Sequence, residues 1–354
     1  KRHLCMGKGI TSIMRIIVDA FGGDNAPQAV IEGCLLAKQE YGVDLVLTGD
    51  EEKIREAAKE MNADLTGIAI ENAPGIMPVE ADPTDILKTY SDSSMAVGLK
   101  MLSEGKGDAF LSAGSTGALV VGSTLIVKRL KGIKRAALGT VIPTMTGRGN
   151  YLLMDAGANH ECRPEMLCQF GVLGSVYMEK VIGVKNPKVG VVNIGAEETK
   201  GLPLQIDAGA LLKKAPVNFI GNVEARGLPL GEVDVAVADG FTGNVILKLS
   251  EGLGKSFSGA IKDLFKQSLL TKIGYLCVRG GLDGFRKKMD YTEHGGAPLL
   301  GLTKPVIKAH GSSNGYAFKN AIRQAKLCCE SDMIGTMQKA LEELKTSTAA
   351  VAEE

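Results

Sequence analysis

Arg15-Ile16-Ile17-Val18-Asp19-Ala20-Phe21-Gly22-Gly23-Asp24 decides the fold: a short β-branched run ends on an aspartate and breaks at once into glycine. A run apolar on both faces is the pattern of a strand inside a parallel sheet covered by helices. The pattern recurs at Asp44–Thr48, Ile68–Glu71, Ala109–Ser112, Leu138–Ile142, Tyr151–Asp155, Val189–Asn193, Asn218–Ile220 and Val233–Ala238. Helical periodicity fills the gaps at about Ala26–Glu40, Glu51–Met61, Ser93–Glu104, Thr116–Lys131, Pro164–Val181 and Leu204–Lys214. This βαβα alternation predicts a doubly wound, three-layer α/β/α fold with a mostly parallel sheet.

The pattern changes near Thr242, where a long helical stretch runs to about Leu276 and a basic stretch, Arg286-Lys287-Lys288, follows. Residues 242–290 therefore read as a helical excursion from the sheet. The chain returns through Pro305–Gly311 to a helix at about Ser313–Glu330 and a last amphipathic helix ending near Lys345. No linker or internal repeat divides residues 14–345, which are expected to form a single α/β domain with a flexible tail at 346–354. Met14, directly before the first strand, looks like a natural start, with residues 1–13 a leader or appended extension.

A chain of 354 residues, 45% hydrophobic, has enough apolar content for a sizeable core. Its net charge of +1 argues against nucleic acid as the main partner. Seven cysteines without a C-x-x-C pair read as thiols in a reducing cytoplasm, and no apolar run approaches the ~20 residues of a membrane span.

Six strand ends open into polar, glycine-rich loops: Asp19–Asp24, Ser112–Gly117, Asp155–Asn159, Asn193–Glu198, Gly221–Glu224 and Asp239–Asn244. Ligands of open α/β sheets bind at the carboxyl ends of strands, so these loops are expected to converge on one crevice. They supply Asp19, Gly22, Gly23, Asp24, Asp155, Asn159, Asn193, Glu224, Thr242 and Gly243 as candidate substrate-binding residues. In Ser112–Gly117, glycines admit backbone N–H groups to an anion and a helix follows at once, which is the physical recipe for a phosphate site. Ser112, Gly114, Ser115, Thr116 and Gly117 are its candidates; the alternative is a plain strand-to-helix turn capped by Ser115 or Thr116. Asp19, Asp155 and Asp239 serve equally as turn formers.

Two nucleotide motifs fail. Gly254-Lys255-Ser256 resembles the end of a Walker A loop, but the required first glycine falls on Leu249, and Gly22-Gly23-Asp24 has the wrong spacing for G-x-G-x-x-G. The four histidines lie far apart and no metal-ligand spacing appears; nor does a G-x-S-x-G elbow. No metal or other cofactor is expected. Direct attack by a bound oxyanion is the simplest remaining chemistry.

Five blocks carry a family resemblance: Asp19–Pro27, Ser112–Leu119, Phe219–Arg226, Asp239–Lys248 and Val306–Ser313. In that order, over roughly Met14 to Ala325, the chain closely resembles the acyl-carrier-protein-dependent phosphate acyltransferases of bacterial phospholipid synthesis. It departs from them at Phe21, where methionine is usual, and at Ser115, where a shorter polar side chain replaces asparagine. The resemblance implies a phosphotransacetylase-like fold, a homodimer, transfer of a fatty acyl group from acyl carrier protein to inorganic phosphate, and reversible attachment to an anionic membrane surface.

On that reading, phosphate lies against Gly114–Gly117 with Lys200 or Lys308 offsetting its charge. Asn222 or Asn244 donates to the oxyanion, and Asp239 or Glu224 orients the donors. His310 is the candidate acid or base, the alternative being a structural histidine before the following helix.

The excursion carries Phe257, Ile261 and Phe265 mostly on one helical face. Between Leu249 and Asp290 there are eight Lys or Arg, including Lys262 and Lys266, against four acids. Such a helix meets a bilayer or an acidic carrier protein, or packs on its own core or a dimer partner. Two rival functions stay open: a short-chain phosphotransacetylase using coenzyme A, and a non-catalytic tether for carrier protein and membrane.

Overall fold

A computed structural model describes residues 14–147, 149–289, 293 and 295–350. The leader assigned to residues 1–13 lies outside them, as do Asp290, His294 and residues 351–354.

Among the described residues, eleven strands form one sheet. They are β1 (Arg15–Asp19), β2 (Asp44–Gly49), β3 (Ala69–Asn72), β4 (Ala109–Ser112), β5 (Ala137–Pro143), β6 (Asn150–Met154), β7 (Lys188–Asn193), β8 (Asn218–Glu224), β9 (Val235–Val237), β10 (Ala297–Leu300) and β11 (Val306–Lys308). Their order is β3-β2-β1-β4-β11-β10-β5-β6-β9-β7-β8. Neighbours are parallel except at β11–β10, β10–β5 and β5–β6. The mostly parallel sheet is the expected one, but the antiparallel steps in its middle make the two flanks run in opposite directions.

The flanks are also staggered, and this positions the site. β10 gives its first residues to the end of β11, pairing Ala297 with Lys308, and its last to the start of β5, pairing Leu300 with Ala137. β6 then runs back down β5 until Met154 stands opposite Gly139. The carboxyl ends of β4 and β11 and those of β6 and β9 consequently reach the same level from opposite sides. They abut there.

The helices are α1 (Gln28–Tyr41), α2 (Glu51–Glu60), α3 (Ser94–Ser103), α4 (Thr116–Gly122), α5 (Pro164–Tyr177), α6 (Pro203–Leu212), α7 (Gly240–Lys266), α8 (Leu269–Met289), α9 (Gly315–Glu330) and α10 (Met333–Ala350). The last continues past the Lys345 end expected from its pattern. Short polar residues start several of them: Asp50, Ser93, Ser115, Asp239 and Asn314 each accept a backbone N–H from the first turn that follows.

Side chains alternate across the strands as the pleat requires. One face joins Ile16, Val18, Leu152, Met154, Val235 and Val237 in a single core with α1, α5 and α9. On the other face the flanks differ. Ile17 and Phe110 pack under α3 and α4, whereas Tyr151, Leu153, Ala236 and Leu138 cluster with Val192, Val223, Leu228 and the first turns of α7, through Ile246 and Leu247. The β5–β6 face is thus incompletely covered, and a cleft remains.

The expected excursion is a helical hairpin of α7 and α8, joined by an edge-to-face contact of Phe265 and Tyr275 at 5.5 Å. Within α7 only Gly240 and Gly243 are buried. No described helix is long and apolar enough to cross a membrane.

Candidate active site

The cleft has a volume of about 850 Å³ and two ends of different chemistry. Its polar end gathers Thr116, Gly157, Asn244, Lys248, Glu251, Lys308 and His310; its apolar end gathers Ile142, Pro143, Met145, Tyr151, Pro229, Leu253, Phe257 and Ile261. That size and mixture are typical of a site for a small organic ligand.

The β1 and β4 loops support one side of the cleft, and of their residues Thr116 lines it. Asp19, buried at the end of β1, accepts from Ser112 Oγ at 2.6 Å, and Ser112 Oγ accepts from the Gly114 N–H at 3.0 Å. Burial raises the Asp19 carboxyl above its ordinary value, against the lowering effect of these hydrogen bonds. Gly22 is required by the close approach: a Cβ there would stand 2.7 Å from both Asp19 Oδ2 and the Gly114 N. Gly23 and Asp24 meet the His310 loop instead, the Asp24 N–H donating to Gly311 O at 2.8 Å. Like Asp19, Gly22, Ser112, Gly114 and Ser115, they do not line the cleft.

Lys308 follows at the end of β11, its Nζ donating to Ala113 O at 3.2 Å. Burial depresses its pKa to about 8, with Asp19 and Asp24 partly opposing and Lys248 adding to the effect. His310 Nδ1 accepts the Ser312 N–H at 3.2 Å, so in the neutral ring the proton sits on Nε2. Burial lowers His310 below the ordinary imidazole value; Glu251 opposes this and Lys248, Lys308 and Lys255 reinforce it. The neutral ring dominates at pH 7.

Ser115, buried at the start of α4, accepts the Ala118 N–H at 3.4 Å. Its hydroxyl therefore caps the helix. Thr116 lines the cleft with the first turn of α4, where backbone N–H groups precede any intrahelical partner, and Gly117 stacks on Pro83.

The opposite wall is built around Asp155. Its carboxylate accepts the N–H groups of Leu138, Gly157, Ala158 and Asn159 and the Asn159 amide, at 2.7 to 3.1 Å. Asn159 also donates to Ala136 O at 2.8 Å. Burial raises Asp155 as it does Asp19, but every lone-pair direction is spent on holding β5, β6 and their loop together. Gly243 lets α7 cross this loop, since a Cβ there would fall 1.9 Å from Asp155 O. Asp239 caps α7, accepting the Thr242 N–H at 2.9 Å and the Thr242 hydroxyl at 2.7 Å. Asn244 donates to Ala156 O at 3.2 Å, and its amide edge faces the cleft beside Gly157.

Besides the β1 loop, two more of the six loops contribute nothing to the cleft's lining. Half-buried Asn193, Asn222 and Glu224 are engaged locally: Asn193 donates to Lys200 O at 2.9 Å, Asn222 donates to Glu197 O at 2.7 Å, and Glu224 pairs with Arg226 at 2.6 Å. The reason is strand order. β7 and β8 lie two and three strands beyond β6, at about 4.8 Å per strand, so within one chain their loops open at the sheet's far edge.

The amphipathic stripe of the excursion is also divided. Phe257 and Ile261 line the cleft, Phe265 packs on Tyr275, and Lys262 and Lys266 are exposed. The residues sequence reasoning missed are Tyr151, Met145, Pro229, Glu251 and Gly254; the spacing of Leu247, Glu251, Gly254, Ser258 and Ile261 on one face of α7 was the available signal. A second hollow of about 520 Å³, beside Asp24 and Glu32, has no cationic side chain in its lining among the described residues and is unsuited to an anion.

The family described as fatty acid synthesis protein matches this chain over residues 14–336. A phosphate acyltransferase of Alkaliphilus oremlandii is 49% identical over 312 residues, covering 88% of this chain and 92% of that protein. Another, of Acetivibrio thermocellus, is 47% identical over 319 residues, covering 90% and 94%. Among solved structures, a phosphotransacetylase from Streptococcus pyogenes superposes with a TM-score of 0.59 at 17% identity, covering 93% of this chain and 94% of that one. At that identity the likeness establishes the fold.

Proposed function

The chain belongs to the fatty acid synthesis protein family, in which its close relatives are phosphate acyltransferases, and on that premise we propose that it transfers a fatty acyl group from acyl carrier protein to inorganic phosphate. One observation carries the reading. A single cleft joins a cationic, donor-rich end at Lys308 and His310 to an apolar channel along α7.

Hydrogen phosphate binds against Lys308 and the first turn of α4, and one of its oxygens attacks the thioester carbonyl. The tetrahedral intermediate collapses with cleavage of the C–S bond, and the proton of hydrogen phosphate ends on the departing pantetheine sulfur. Asn244 keeps a second amide hydrogen beyond its bond to Ala156 O and donates it to the oxyanion. His310 contributes its Nε2–H as a hydrogen-bond donor. A neutral ring with that tautomer suits a donor better than a base. Alignment of two bound reactants in one cleft supplies the rest of the acceleration.

The α7–α8 hairpin serves the carrier, a membrane surface and a second copy of the chain. Exposed Leu269 and Leu270 follow directly on the turn after Lys266, with Lys262 and Lys272 nearby, which supports peripheral attachment to anionic lipid. Co-sedimentation with anionic vesicles tests this: Leu269→Glu with Leu270→Glu abolishes binding, and no binding by the parent chain ends the idea. Analytical ultracentrifugation tests the homodimer.

The reaction itself is tested by incubating the protein with palmitoyl-acyl carrier protein and labelled phosphate. Hydroxylamine-sensitive acyl phosphate is the expected product. Its absence, with the thioester intact, removes the proposed function.

A further inference from the structure

α7 forms one wall of the cleft with a row of residues spaced three or four apart: Leu247, Glu251, Gly254, Ser258 and Ile261. Gly254 occupies the middle of that row and also lines the cleft. A helix interior disfavours glycine by roughly 1 kcal/mol relative to alanine. Nothing in the packing demands it here: φ is ordinary and an added Cβ would meet no atom within 4 Å. This contrasts with Gly243 on the same helix, where a Cβ would collide with Asp155 O. The missing side chain at Gly254 leaves a notch in the wall, between the polar end and Phe257.

The cleft's length points to what passes through that notch. From Asn244 to Ile261 the α7 wall runs roughly 26 Å at 1.5 Å per residue. An extended chain of single bonds advances about 1.2 Å per bond, so sixteen carbons span about 18 Å. An acyl chain whose carbonyl lies beside Asn244 and Lys308 must then cross the level of Gly254 to reach Met145, Pro229 and Phe257. Gly254 lies about 15 Å along the wall from Asn244, so a chain of up to about twelve carbons stops short of it.

We propose that Gly254 is a specificity-determining position that admits acyl chains longer than about twelve carbons into the distal, apolar half of the cleft. This rests on the acyl-transfer reading above. Filling the notch shortens the usable channel and leaves the polar end intact.

The test compares the parent chain with Gly254→Ala and Gly254→Phe, measuring acyl phosphate formed from octanoyl- and palmitoyl-acyl carrier protein. Gly254→Phe is expected to lower kcat/KM for the palmitoyl donor at least ten-fold and to leave the octanoyl donor within two-fold. Gly254→Ala is expected to fall between it and the parent, and carries the test by itself if the phenylalanine variant does not fold. Equal losses on both donors, or no loss on either, overturn the proposal. Absence of acyl phosphate from the parent chain with both donors would instead remove the reaction assigned to the cleft.

Discussion

The β1–β4–β11 wall and the β5–β6–β9 wall each bury an aspartate at a strand end before glycine, and they put it to different use. Asp155 gives both oxygens to four backbone N–H groups and one amide of its own neighbourhood. Asp19 is held by Ser112, Ser94 and the Phe21 and Gly22 N–H groups, and its charge supports the ammonium of Lys308 at the cleft. Burial raises both carboxyls, so a displaced pKa does not separate them. What separates them is whether the charge faces a second charged group exposed to the ligand space.

The largest effect expected from this contrast is at Asp155. Asp155→Asn turns an amide donor toward backbone donors that have no other acceptor, at about 1–3 kcal/mol for each unsatisfied group. Against a total stability of about 5–15 kcal/mol, the variant should lose cooperative thermal unfolding or fail to accumulate as folded protein. An unchanged melting curve would erase the distinction between the two walls.

Next comes Lys308. Lys308→Met is expected to reduce kcat/KM for phosphate by about 100- to 1000-fold, the scale of losing one preorganised charge partner. Its melting temperature should hold or rise, because a desolvated charge has been replaced by an apolar side chain of similar length. Loss of stability with retained activity would make Lys308 a structural residue like Asp155.

The pH profile sharpens the comparison further. The Lys308 ammonium is lost as pH rises through about 8, so kcat/KM should descend above that value. In Asp19→Asn the supporting carboxylate is gone and the descending limb should move to lower pH. Stability has the opposite slope. Between about 8 and the ordinary lysine value the unfolded chain holds the extra proton, and this group makes the fold more stable as pH rises. A limb that stays in place in Asp19→Asn would uncouple the two groups.

The smallest effect belongs to Asp239, which resembles the other two in sequence but only caps α7. Asp239→Ala should cost about 1 kcal/mol, read by denaturant titration, and Asp239→Asn should restore most of it.

Much of this architecture is legible in the sequence, because apolar runs ending in glycine mark parallel strands whatever their neighbours. The order of those strands is not. No local pattern reports that β7 and β8 lie outermost, so Asn193, Lys200, Asn222 and Glu224 looked equivalent to residues that do reach the cleft. β10, four residues with a proline inside, and β11, three residues, are too short to announce themselves. Yet they set the stagger that brings the two sets of carboxyl ends together. The excursion's amphipathic pattern was visible, but periodicity alone cannot tell a face that lines a cleft, as Phe257 and Ile261 do, from one that meets lipid.

A crystal structure with an anion and a non-hydrolysable palmitoyl-pantetheine analogue would test most directly that one cleft serves both substrates. The anion is predicted within hydrogen-bonding distance of Lys308 Nζ, with the alkyl chain passing Gly254 between α7 and the β5–β6 strands. An anion at Lys200, or an alkyl chain on the outer face of the α7–α8 hairpin, would contradict it.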